Sequence, residues 1–129
     1  MSTHTLTLNW TDGVNSIQQT VAKTASGDQK INEDIADSET DFPIAFALDV
    51  SAAEMIYILS DQDITLETNS GSEADDTLAL KAGEPVHYWK GGPIANPFAS
   101  EVDVTGLYIT NASGSTANLQ MVALYDATP

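Results

Sequence analysis

The chain contains neither cysteine nor arginine. Without thiols there is no disulfide, no thiolate zinc site and no cysteine nucleophile. Without arginine, the side chain best suited to forked recognition of phosphate or carboxylate is missing. Basic residues are scarce altogether: Lys23, Lys30, Lys81 and Lys90 face nineteen acids, for a formal net charge of −15. That balance repels phosphate backbones and argues against sequence-independent nucleic-acid binding. No apolar run approaches the ~20 residues of a membrane-spanning helix. The opening MSTHTLTLNWTDG has neither the basic nor the apolar region of a standard signal peptide. The expectation is a protein made in a cytoplasm, with no membrane and no nucleic acid among its partners.

What is present is enough for a core. Of 129 residues, 42% are hydrophobic, which suits one domain over residues 1–129 that needs no covalent staples. Residues 5–10 alternate, with Leu6, Leu8 and Trp10 on one side and Thr5, Thr7 and Asn9 on the other, as in a half-buried strand. Asp12-Gly13 then makes a turn, and residues 16–24 form a weaker strand carrying Ile17 and Val21 on one parity. Residues 25–41 are polar and mostly acidic, and predict a long loop with a short strand or turn near 30–35. In residues 42–50, Ile44, Phe46, Leu48 and Val50 share a face, and Ala45 and Ala47 opposite them suggest close packing there too. Ser51 is the candidate N-cap of a single helical turn over 51–54.

Three hairpins are predicted beyond that point. Residues 107–110 and 118–125 are rich in apolar, β-branched and aromatic side chains and flank a loop of small polar residues. Residues 55–68, MIYILSDQDITLET, repeat the arrangement around a turn at 60–63, and residues 77–80 and 86–89 do so around 81–85. Similar lead-ins, Asp49-Val50-Ser51 and Asp103-Val104-Thr105, precede the first and last pairs. About eight to ten short strands with closely spaced turns predict an all-β, antiparallel, jelly-roll-like sandwich.

No catalytic constellation is legible. His4 and His87 are the only histidines, and a nucleophile–base pair needs a hydroxyl and an orienting acid folded beside one of them. Carboxylate pairs such as Asp61/Asp63 and Asp75/Asp76 are frequent because acids are frequent. The loops at 61–63 and 72–76 carry the hard oxygens that calcium takes, without EF-hand spacing. The expectation is no enzyme, no metal and no cofactor. Asn9-Trp10-Thr11 and Asn111-Ala112-Ser113 match the glycosylation acceptor pattern, which lacks meaning without secretion. Tyr88, Trp89, Ile94, Pro97 and Phe98 cluster around a glycine–proline loop. They read as a cap on the sandwich, as an interface, or as a sugar-stacking platform.

The stretches LSDQDITLETN (59–69), LKAGEPVHYW (80–89) and LYITNASGSTANLQMVALYD (107–126) resemble small virion accessory proteins of tailed bacteriophages, most closely capsid decoration, or cement, proteins. The resemblance implies a small β domain on the capsid exterior that binds the major capsid protein, stabilises the shell and forms a homo-oligomer, with a trimer favoured. It also implies a flexible N-terminal arm, for which Met1, Ser2, Thr3 and His4 are the candidates. By their chemistry, Trp10, Tyr88, Trp89, Ile94, Pro97 and Phe98 are the candidate contacts. Any such contact should be depleted in acids, because a charge of −15 must be tolerated between adjacent copies. The alternative is a carbohydrate-binding module of a tail or adhesin assembly; a small hydrolase ranks third.

Overall fold

The structure, a computed structural model, describes residues 1–126. Its body is an antiparallel β-sandwich. One sheet orders β3 (Gly27–Ile35), β10 (Ala117–Tyr125), β5 (Ala53–Ser60) and β8 (Val86–Trp89). The other orders β4 (Phe42–Ile44), β9 (Leu107–Thr110), β6 (Ile64–Thr68) and β7 (Thr77–Leu80). Alternate residues of each sheet face inward, as the period of a strand requires. Ile35, Ile56, Ile58 and Leu119 from one sheet meet Ile44, Leu66, Leu107 and Ile109 from the other in one core.

The three predicted hairpins are not hairpins. β5 and β6, β7 and β8, and β9 and β10 each lie in opposite sheets, so their short loops arch over the sandwich edge. Alternation and turn residues are the same in both cases. What differs is whether the second strand pairs with the first or faces it across the core, and that depends on distant partners. β10 pairs with β3 and β5 instead.

Other local expectations shift as well. Residues 27–35 form a full strand, not a loop element, because β10 offers a nine-residue ladder to it. The ladder of β4 stops at Ile44, yet Phe46, Leu48 and Val50 keep pointing inward. Ala45 and Ala47 are exposed, and no close packing covers them. The 3-10 turn Val50–Ala52 is capped by Asp49 rather than Ser51. The Asp49 carboxylate accepts from Ser51 N and Oγ, and these bonds hold its carboxyl below the usual range. The two similar lead-ins lie side by side, bridged at Leu48 and Val104.

The paired hairpins lie elsewhere: β6 and β7 pair across the loop at 69–76, and a longer one opens the chain. β1 (Ser2–Thr11) and β2 (Ser16–Ala25) pair over their whole length in a two-stranded ribbon. Ten extended residues span about 30 Å.

Candidate interaction surface

Register decides what the ribbon presents. Leu6 lies opposite Val21, Leu8 opposite Gln19, and Trp10 opposite Ile17. Opposed residues share a face, so one side carries Leu6, Leu8, Trp10, Ile17 and Val21. Apart from Ala22, the other side is threonine, serine, asparagine and glutamine, with Thr3–Thr24 and Thr7–Thr20 hydroxyls hydrogen-bonded across the strands.

Only the base of the apolar face is covered. Leu6 and Trp89 pack against Ala25, Met55 and Leu124, on the outside of the β3-β10-β5-β8 sheet. Two polar ties reinforce this junction. His4 Nε2 donates to Asp28 Oδ2 at 2.8 Å, and Lys23 Nζ donates to the Lys90 carbonyl at 3.1 Å. From residue 8 outward both faces of the ribbon are exposed, including Trp10 at 74% and Ile17 at 76%. The half-buried strand expected for residues 5–10 is half-buried only at its base.

The tip is ordered by its own sequence. Asp12 Oδ1 accepts from Val14 N at 2.9 Å and Asn15 N at 2.7 Å, and Gly13 takes a φ of 92°. Those amide bonds hold the Asp12 carboxyl below its usual range. Val14 is thereby held outward at 89% exposure. Asp12 is also the ribbon's only acid and Lys23 its only lysine, so the entire net charge of −15 lies on residues 26–129.

The other candidate residues disperse. Met1 is exposed, but Ser2, Thr3 and His4, expected as a flexible arm, are paired in β1 with Ala25, Thr24 and Lys23. Tyr88 packs against the core, while Trp89 faces the ribbon with its ring stacked on His87 at 6.1 Å between centroids. Ile94 is exposed and Pro97 half-buried. Phe98 is fully buried in the core, so it is packing and not a contact residue. The glycine–proline loop lets its aromatic end fold back, where burial of one large ring outweighs exposure.

Leu8, Val14 and Ile17 escaped notice as surface residues. Pairing the two strands about Asp12-Gly13 would have placed Trp10 opposite Ile17. Nothing in either strand signals that the outer half lies beyond the body.

Two concavities stand out. A groove of about 330 Å³ lies between the ribbon base (His4, Thr5, Leu6) and the sheet's outer face (Met55, Ile56, Tyr57, Val122), and no carboxylate lines it. A wider, open basin of about 980 Å³ at one end of the sandwich is lined by Asp49, Glu54, Asp103 and Asp126 among others. Its acids have structural duties: Asp49 caps the 3-10 turn, Asp103 accepts from Val50 N, and Glu54 lies 3.7 Å from Lys90 Nζ. Among the described residues, no group of three or more histidines and acids is placed to hold a metal. Asn111, in one of the two acceptor patterns, is fully buried and closed to a glycan.

Comparison with protein families, curated proteins and solved structures finds no match in any of the three.

Proposed function

We propose that this chain is a structural protein without catalytic activity that binds the outer surface of a bacteriophage capsid and stabilises the shell. The observation that carries the reading is the ribbon: a fully paired, nearly uncharged projection with Trp10, Val14 and Ile17 exposed, on a body holding all the net charge. Scattered apolar surface residues are ordinary, but a contiguous cluster on a projecting element marks an interaction site. An acidic body suits an exterior position, where it has no affinity for packaged DNA.

The strand order also supports the reading. Two four-stranded sheets ordered β3-β10-β5-β8 and β4-β9-β6-β7 fit a jelly roll, an architecture that recurs in viral capsid domains. The partners would be the major capsid protein and further copies of the chain, with a trimer favoured, and stabilisation would come from many weak contacts repeated by symmetry.

Mass spectrometry of purified particles tests the proposal. The protein should be present at a copy number commensurate with the shell lattice, and particles lacking it should rupture at lower temperature. Particles that never contain it would overturn the reading. The second reading, carbohydrate binding, draws on Trp10, whose exposed ring could stack on a sugar. Glycan-array binding lost in Trp10→Ala would favour it.

A further inference from the structure

We infer that the apolar tip of the ribbon docks into the acid-free groove of a second copy of this chain. The inference rests on the ribbon being an interaction element and assigns its tip to the contact between copies, so that binding to the shell falls to the assembled oligomer.

Three observations converge. First, the ribbon already packs on this kind of surface within its own chain. Leu6 covers Met55 and Leu124, and Leu8, Trp10 and Ile17 continue the same ribbon face without a cover. Second, the sheet continues as well. The residues beside the covered row, Val122 paired with Tyr57, lie one step further across the same outer face, and with His4 and Leu6 they line the groove. Its volume of about 330 Å³ admits one aromatic side chain.

Third, charge restricts the pairing. With nineteen acids in the chain, two bodies repel each other on contact. The ribbon tip carries only Asp12, whose carboxylate is engaged by the turn amides, and the groove has no carboxylate. These two acid-poor surfaces can meet without bringing carboxylates together. A basic partner would be drawn to the body instead, so a near-neutral, apolar surface suits the tip. Exchange of tips between copies then closes a symmetric oligomer, or a ring if the contact runs head to tail.

Sedimentation velocity on the full chain tests this. The wild type should sediment above its monomer mass of 13.7 kDa with a concentration-dependent equilibrium. Trp10→Ser with Ile17→Ser should shift the dissociation constant by at least a hundredfold toward monomer, and Val122→Glu in the groove should do the same. Circular dichroism should show all three proteins folded. Because the chain has no cysteine, Trp10→Cys and Val122→Cys variants mixed under oxidising conditions should give a disulfide-linked heterodimer. A monomeric wild type, an oligomer unaffected by the tip variant, or only random cross-linking would each overturn the inference. Shell binding is scored separately. A monomer that still occupies particles sinks this inference alone, and an oligomer absent from particles sinks the capsid proposal alone.

Discussion

His4 on β1 and Asp28 on β3 share a 2.8 Å hydrogen bond, one of two polar ties between the ribbon and the sandwich. A carboxylate only accepts, so the proton on Nε2 belongs to the histidine. The same bond, followed by the charge of Lys30, holds the Asp28 carboxyl below its ordinary value of 3.8. A carboxyl held low in the fold contributes stability above that ordinary value and loses it as pH falls through the lowered one. The ribbon base should therefore loosen on acidification below 3.8. Asp28→Ala should speed amide exchange at residues 2–6 and 21–25 on the order of tenfold at neutral pH, and abolish the acid-dependent part. Unchanged exchange in the variant would show that the apolar packing of Leu6 and the Lys23–Lys90 bond hold the ribbon without it.

Phe98 and Ile94 stand four residues apart on one loop and should respond oppositely to truncation. Phe98 is fully buried, and Phe98→Ala should destabilise the fold by about 3–5 kcal/mol through lost burial and a residual cavity. Ile94 is exposed, and Ile94→Ser should stay within about 0.5 kcal/mol. Urea denaturation separates the two, and similar midpoints would contradict the core position of Phe98.

What was legible in the sequence tracks what is local. The alternation Ile44, Phe46, Leu48, Val50 foretold the inward face even where the ladder ends, because side-chain parity survives a lost hydrogen bond. Pairing was not legible. Ile58 and Ile64 flank a turn and both point into the core, but from opposite sheets. β3 was hidden because a strand whose outward residues are Lys30, Asn32 and Asp34 shows only Ile31 and Ile35 as apolar signal, and these also fit a helical spacing. Among the contact candidates, Trp10 is exposed and Phe98 is core; a ring's chemistry does not distinguish the two.

Asn111 is buried, and its amide serves three carbonyls. Nδ2 donates to Ile35 O at 3.0 Å, to Ala36 O at 3.3 Å and to Ser115 O at 2.8 Å, while Oδ1 accepts from Ser113. The side chain therefore ties the ends of β3 and β9 to the loop entering β10. Asn111→Ala should cost about 2–3 kcal/mol, since buried acceptors lose their donor. Asn111→Asp should do worse, because a carboxylate would face the same carbonyls with nothing to donate. Chemical denaturation ranks them, and an aspartate variant as stable as wild type would refute the assignment.

Gly92 governs the Trp89 side chain. Its amide donates to the Trp89 carbonyl at 3.0 Å, closing the turn after β8. A Cβ on residue 92 would overlap the Trp89 indole, whose ring lies against His87 and whose packing extends to the ribbon base. Gly92→Ala must therefore push the indole off the histidine, or shift the turn. Since Trp89 belongs to the small cluster with Ala25, Met55, Leu124 and Leu6, its displacement should also weaken ribbon attachment. The expected signature is a changed near-ultraviolet dichroism together with faster amide exchange at residues 21–25, while the amides of β6 and β9 keep their protection. If dichroism changes and ribbon exchange does not, Trp89 is a bystander and the ribbon is held by Leu6 and the His4–Asp28 and Lys23–Lys90 bonds.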